Sequence, residues 1–166
     1  MIRKMTGNRK GFSMVELLCT IVVLLLLSGL VAVGVRLAAG SMRTLVMDSE
    51  AQTLCATIRS IVSDELRYSG SIQKKGNQIS FFSQNYAGIV AFSVNEDGQI
   101  LLGDNKLLSK KSYPYDMRAE VDLTGYDSDS RIFDVTVSVT DAEGKVLSDS
   151  QFQVKQLNEP ALIEEE

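Results

Sequence analysis

The feature that most constrains this chain is the apolar run at residues 12–35, which follows a polar and basic N-terminus. The run is longer than the roughly 20 residues that a helix needs to cross the hydrocarbon core of a bilayer. It contains one carboxylate, Glu16, and an ionised acid costs roughly 2.5–3.5 kcal/mol at the centre of a membrane helix and less near an end. The sequence therefore predicts a membrane helix whose single acidic group needs a partner.

The charges around the run predict its orientation. The leader, residues 1–11, contains four basic and no acidic residues, namely Arg3, Lys4, Arg9 and Lys10. Positively charged flanks stay in the cytoplasm. We therefore expect a cytoplasmic N-terminus, with everything after Arg36 outside the cytoplasmic membrane.

Three processing routes fit such an N-terminus. A secretory signal peptide has an apolar core of only about 7–15 residues, but the small residues at positions 38–41 could still form its cleavage site. A lipoprotein site at Cys19 fits less well, because leucines precede it where small residues are expected. The third route cuts after Gly11 and leaves the apolar helix on the mature protein.

The third route rests on a combination of residues. Gly11 ends the basic leader, Phe12 follows it, and Glu16 is the fifth residue after that junction. This arrangement resembles the N-terminal signature of type IV pilins and pseudopilins. The resemblance covers about the first third of the chain. The resemblance implies cleavage after Gly11 by a prepilin peptidase and methylation of the new amine of Phe12.

The resemblance also implies how subunits assemble. Glu16 would pair with the cationic Phe12 amine of a neighbouring subunit, which would neutralise two charges in a low-dielectric filament core. The implied partners are other pilin subunits, a membrane assembly platform with its ATPase, and the lipid bilayer. Pilins of this family often have a proline within the N-terminal helix, whereas Gly29 and Gly34 are the only intrinsic weak points in this one.

Beyond the membrane, residues 41–68 predict an amphipathic helix. Apolar residues recur there at helical spacing, namely Met42, Leu45, Val46, Leu54, Ile58, Ile61, Val62 and Leu66. Cys55 is expected to be a buried apolar residue, and Cys19 is too far away along the helix to form a disulfide with it.

Residues 78–157 predict β-strands. Short strands are expected at 79–83, 89–94 and 99–102, with a turn at 95–98, and a further strand at 117–123. A clearer hairpin follows, with strands at 132–140 and 145–157 joined by a turn at 141–144. Alternation places one apolar set on the inner face of this hairpin, namely Phe133, Val135, Val137, Val139, Val146, Phe152 and Val154.

The predicted fold is α+β, with a long N-terminal transmembrane-plus-amphipathic α-helix packed on an antiparallel β-sheet in a pilin-like ladle. We expect a leader at 1–11, a transmembrane and filament-core helix at 12–40, an extracytoplasmic head at 41–158 and an acidic tail at 159–166. The head is of ordinary single-domain size.

The composition argues against catalysis and nucleic-acid binding. The chain has no histidine, which removes the commonest general base and zinc ligand, and no nucleophile or phosphate-loop motif is present. We expect no enzyme activity and no cofactor. From Asp48 onward acidic residues greatly outnumber basic ones, so no direct nucleic-acid binding is expected, although small lysine clusters remain at 74–75 and 106–111.

Calcium is the one metal for which candidate ligands exist. Asp122, Asp127 and Asp129 could supply oxygen ligands, and some pseudopilins hold calcium in a C-terminal loop. The spacing does not match an EF-hand, so a polar turn is the better interpretation and no metal site is predicted.

The sequence therefore favours a structural subunit of a type IV pilus or pseudopilus. The absence of an obvious C-terminal disulfide loop favours a minor pilin or pseudopilin, which would serve adhesion or motility, DNA uptake or protein secretion. It would lie in the cytoplasmic membrane and reach the cell surface after assembly. The alternatives are a monomeric single-pass membrane protein with a binding or sensing domain, and an extracellular enzyme released near residues 38–41.

Overall fold

The computed structural model describes residues 13–75 and 78–158. The predicted leader, the residues on either side of the predicted cleavage and the predicted acidic tail lie outside these ranges. The chain divides into two compact units. We call the part up to Thr44 the N-terminal unit and the part from Leu45 onward the β-rich unit.

One helix, α1, extends over Met14–Arg67 and so contributes to both units. It continues without interruption through Gly29 and Gly34, the two positions where the sequence allowed a bend. The predicted long N-terminal helix is confirmed, and its C-terminal end agrees with the predicted end of the amphipathic part to within one residue.

Nine strands follow α1 in the β-rich unit and form three antiparallel sheets of three strands each among the described residues. The first sheet contains β1 (Ile72–Lys75), β2 (Gln78–Ser83) and β3 (Gly88–Val90), and the second contains β4 (Phe92–Val94), β5 (Ile100–Leu102) and β6 (Asn105–Lys106). The third contains β7 (Arg118–Asp127), β8 (Ile132–Thr140) and β9 (Val146–Lys155). The predicted α+β class is thus confirmed, although the sheet is divided into three.

One side of α1 provides the helical part of the core. Its buried residues recur three or four positions apart, namely Ala51, Leu54, Cys55, Ile58, Val62 and Leu66. The predicted stripe began earlier, but Met42, Leu45 and Val46 are exposed. Met47 is the first apolar helix residue that packs against the core, so the buried stripe begins later than the apolar stripe predicted from the sequence.

Strands β7 to β9 provide the opposite side of the core. Phe133, Val135, Val137 and Val139 are all buried as predicted, and the Sγ of Cys55 lies 3.9 Å from the carbonyl oxygen of Val137. Cys55 is buried and free, and its burial raises the pKa of the thiol. It behaves as the small apolar core residue that the sequence predicted.

The inward position of Val146 was predicted incorrectly. Its side chain is 54% exposed, because the register between β8 and β9 shifts next to it: Val139 faces Ser148, whereas Thr140 faces Val146. The additional residue is Leu147, and one extra residue reverses which face the following side chains occupy. Val154 is buried and Phe152 is half-buried, as expected for the rest of the strand.

The predicted strand at 89–94 is two strands. Val90 pairs with Phe81 of β2, whereas Phe92 pairs with Leu102 of β5, so the chain changes sheets at Ala91. The carbonyl oxygen of Ala91 accepts a hydrogen bond from the backbone N–H of Gly103 at this point. The predicted hairpin turn at 95–98 is confirmed, since β4 and β5 flank it as antiparallel partners.

Substitution of Gly98 in this turn should measurably lower the stability of the fold. Its φ is +73°, and an added Cβ would lie 2.6 Å from the Cβ of Arg118. That atom is fixed by strand β7 and cannot move away as the end of a side chain could. Gly98→Ala should therefore lower the free energy of unfolding by about 2–3 kcal/mol, measured by urea titration of the detergent-solubilised chain.

Gly144→Ala is the matched control for that measurement. Gly144 also has a positive φ, +85°, but an added Cβ would meet no atom within 4 Å. Its cost is limited to backbone strain, about 1 kcal/mol. Equal losses for the two variants would show that contact with Arg118 contributes nothing.

The residues after β9 close the end of α1. The side chain of Gln156 donates to the carbonyl oxygens of Ser69 (2.9 Å) and Gly70 (2.7 Å) and accepts a hydrogen bond from the hydroxyl of Tyr126 (2.8 Å). The backbone N–H of Leu157 donates to Arg67, and the Asn158 amide donates to Tyr68. We call residues 156–158 the C-terminal clamp, because they satisfy four consecutive carbonyl groups, that of the last helix residue and those of the three residues after it.

Candidate assembly site

The first turn of α1 contains the predicted assembly residue. The helix begins at Met14, and the backbone N–H of Leu17 donates to the carbonyl oxygen of Ser13 at 3.1 Å. Glu16 lies in this first turn, where the partial positive charge of the helix N-terminus favours a carboxylate. Gly11 and Phe12, the predicted cleavage and methylation residues, lie outside the described residues.

Two other polar side chains of the apolar run form hydrogen bonds within the helix. The hydroxyl of Thr20 donates to the carbonyl oxygen of Leu17 at 2.8 Å, and that of Ser28 donates to Leu24 at 2.7 Å. Such bonds satisfy a hydroxyl within its own helix and allow it to enter an apolar environment. A carboxylate has no donor for a helix carbonyl, so the helix backbone cannot satisfy Glu16 in this way.

From Leu17 to Val35, α1 presents a mostly apolar surface. Ile21 is the least exposed of the large apolar side chains from Met14 to Leu37, and it is still 48% exposed. The helix is long and apolar enough to cross a membrane, and no part of its most apolar window is buried. A surface of this extent requires a bilayer or a protein partner.

The three calcium candidates do not form a cluster. Asp122 lies within β7 and faces Thr136 of β8, whereas Asp127 is the last residue of β7 and Asp129 lies in the following turn. The first two are five positions apart along the strand, about 16 Å at the usual rise. Among residues 13–75 and 78–158, no group of three or more possible metal-ligating acids, cysteines or histidines occurs.

Asp127 instead closes the turn between β7 and β8. Its carboxylate accepts hydrogen bonds from the hydroxyl of Ser130 (2.6 Å) and the backbone N–H of Asp129 (2.9 Å). These bonds, with that from Ser130 the largest cause, lower the pKa of the Asp127 carboxyl. The polar turn predicted for this segment therefore begins at Asp127, later than expected.

The segment at 113–115 buries only one of its two tyrosines. Tyr113 is buried, and its hydroxyl accepts a hydrogen bond from the backbone N–H of Ile100 at 3.1 Å. Tyr115 is exposed and has a φ of 57°. Sequence reasoning missed the C-terminal clamp entirely, because the carbonyl groups that its side chains contact lie 86 to 90 residues away along the chain.

Comparison with known proteins supports the interpretation of the N-terminus. Residues 6–32 match the family described as the prokaryotic N-terminal methylation motif. This motif is the signature of type IV pilins and pseudopilins, and the matched range includes Gly11, Phe12 and Glu16. The chain has no significant match among curated proteins or among solved structures.

The chain therefore carries a prepilin-type N-terminus. The motif indicates pilin-like processing by a prepilin peptidase and assembly with other pilin subunits. It is typical of a structural subunit and not of an enzyme. It also fits membrane anchoring through the N-terminal helix and a location in a surface pilus. The match ends at residue 32 and so does not extend to the β-rich unit.

Proposed function

We propose that this protein is a structural subunit of a type IV pilus or pseudopilus that is cleaved after Gly11 and polymerises through its N-terminal helix. The observation that carries the proposal is the methylation motif at residues 6–32, which overlaps the start of a helix whose apolar surface is exposed. In the polymer, Glu16 pairs with the methylated amine of Phe12 on a neighbouring subunit. Pairing compensates two charges that would otherwise be unpaired in an apolar environment.

The glycines of the N-terminal unit support polymerisation through this helix. An added Cβ at Gly29, Gly34 or Gly40 would meet no atom within 4 Å. Packing within the single chain therefore does not require glycine at these positions, although each costs about 1 kcal/mol relative to alanine in a helix. Small residues on a membrane helix allow neighbouring helices to approach closely, so a partner helix is a reason for them.

The proposed orientation of the chain in the membrane rests on the charge of the leader. The leader holds four basic residues, so its side of the membrane is the cytoplasm. The β-rich unit then lies outside, and the assembled protein reaches the cell surface. A membrane assembly platform and its ATPase drive this step, as in the systems that use such an N-terminus.

Within this class we propose a minor pilin or pseudopilin that serves adhesion or motility, DNA uptake or protein secretion. Both cysteines are free, and they lie in α1. The described part of the β-rich unit after α1 therefore has no disulfide-closed loop of the kind that many major pilins carry.

The N-terminal residue and mass of the protein test this function directly. The chain is expressed with and without the prepilin peptidase of its own host and recovered from membranes. A start at methylated Phe12 only when the peptidase is present is the expected result. A start at Met1 in both samples would support the monomeric membrane-anchored alternative, and a start near Ser41 would support a secreted domain.

A further inference from the structure

Strand β9 is an open edge of the third sheet. The strand order is β7-β8-β9, so among the described strands β9 has β8 on one side and no strand on the other. It is ten residues long and contains no proline. An edge of this length presents unpaired N–H and C=O groups and is a template for a further strand.

The two faces of β9 differ in chemistry. On the face toward α1, Phe152 lies beneath the guanidinium of Arg59, which is 4.9 Å from the ring centroid, and Val154 is buried. Alternation places four polar residues on the opposite face, namely Asp149, Gln151, Gln153 and Lys155, all of which are exposed. This face therefore carries one acid near the middle of the strand and one base at its end.

These residues are complementary to a second copy of the same strand. In an antiparallel pair, residues directly opposite each other lie on the same face of the sheet, so a self-pairing must be centred on a residue. If it is centred on Phe152, Asp149 lies opposite Lys155 of the second copy, and Gln151 lies opposite Gln153. Each of these pairs occurs twice, and the two Phe152 rings meet at the centre.

Other registers lack this complementarity. Centring on Asp149 places two like charges opposite each other, which is destabilising. Centring on Ser150, Gln151 or Gln153 leaves Asp149 without Lys155. We therefore propose that β9 is a homotypic docking edge, at which a second copy of this chain adds its own β9 in antiparallel orientation centred on Phe152.

The direction of α1 shows which copies can meet in this way. Cys55 contacts Val137, which faces Ser150; Arg59 lies over Phe152; and Arg67 accepts a hydrogen bond from Leu157. Within the β-rich unit, α1 thus runs in the same direction as β9. Antiparallel β9 strands therefore bring together two α1 segments that run in opposite directions.

This contact cannot repeat between successive subunits of one polar filament, because those subunits all point the same way. If the proposed function holds, the contact joins β-rich units of two filaments that run in opposite directions, as in lateral bundling. The pairing itself rests only on the β-rich unit and does not require polymerisation. The two proposals can therefore fail independently.

Charge reversal tests the register. The unprocessed full-length chain, prepared without peptidase, is analysed by sedimentation equilibrium in detergent micelles. Asp149→Lys and Lys155→Asp should each weaken dimerisation at least about tenfold, because each turns two attractive pairs into repulsive ones. The double variant restores both pairs and should dimerise like the wild type, whereas Glu120→Lys on β7 is the control that should change nothing.

Cysteine pairing tests the same register by geometry. Both variants are made in a Cys19→Ala background. The two new cysteines lie opposite each other only when one copy carries Gln151→Cys and the other copy carries Gln153→Cys. The mixture should form a disulfide-linked dimer, and each variant alone should form much less. A chain that stays monomeric at every concentration, or a double charge variant that does not recover dimerisation, would overturn the docking edge. Glu16→Ala, which tests polymerisation through the N-terminal helix, should leave this dimer intact.

Discussion

Glu16→Ala should abolish filament formation while the processed protein continues to accumulate in the membrane. Alanine removes the carboxylate that would pair with the Phe12 amine. It also removes the cost of placing an acid in an apolar helix, which is roughly 2.5–3.5 kcal/mol at the centre of a membrane helix and less near an end. The variant should therefore insert at least as well as the wild type and fail only at assembly. The measurement compares sheared filament fractions with membrane fractions by immunoblot, in cells that also contain the assembly machinery.

Two further variants separate the charge from its position. Glu16→Gln keeps the size and polarity of the side chain but cannot neutralise an amine, so its assembly should be lost as well. Glu50→Ala removes an exposed carboxylate from the same helix, beyond the apolar run, and should assemble normally. Normal filaments from Glu16→Gln would show that the negative charge has no role in assembly. Correct cleavage of all variants, checked by N-terminal sequencing, excludes a processing defect.

The elements that sequence alone predicted well are those in which a local period determines the outcome. Leu54, Ile58, Val62 and Leu66 recur at helical spacing, and all four are buried. In β8 strict alternation places Phe133 and Val137 inside. In such a pattern the local period alone determines which side chains face the core, because the face of each residue follows from that of its neighbours.

The elements that were predicted less well depend on partners distant in sequence. Nothing within residues 89–94 shows that Val90 pairs with β2 and Phe92 with β5. The exposure of Val146 likewise depends on a register shift against β8. The C-terminal clamp depends on the carbonyl groups that follow α1, and hydrogen bonds over such separations leave no periodic signal in the sequence.

The candidate assembly site also rests on a local signal, and the roles of its residues stay predictions. Cleavage, amine and carboxylate fall within six residues of sequence, 11–16, and the same segment lies in the matched methylation motif. The structure adds the helix start at Met14 and the internal hydrogen bonds of Thr20 and Ser28. A carboxylate has no hydrogen to donate, so Glu16 cannot be satisfied by a helix carbonyl group as these two hydroxyls are.

Gln156→Ala should produce the largest stability loss among single polar substitutions in the β-rich unit, about 2–4 kcal/mol in the free energy of unfolding. The Gln156 side chain is 1% exposed and joins Tyr126 to two carbonyl groups beyond the end of α1. Each hydrogen bond contributes about 0.5–1.5 kcal/mol, and a buried group left without a partner costs more. Urea titration followed by circular dichroism of the detergent-solubilised chain provides the measurement.

Gln153→Ala is the matched control, because it removes the same side chain from the strand that leads to the clamp. The Gln153 amide donates to the carboxylate of Asp134 at 2.8 Å, but this contact is exposed to water, so its loss should cost less than about 0.5 kcal/mol. Gln156→Glu refines the argument: it keeps the shape and an acceptor for Tyr126 but loses both donors to Ser69 and Gly70. If the loss arises from the unsatisfied carbonyl groups, the glutamate variant should be destabilised at least as strongly as the alanine variant. A loss for Gln156→Ala no larger than that for Gln153→Ala would mean that water replaces the hydrogen bonds of the Gln156 side chain, and that the end of α1 is held without them.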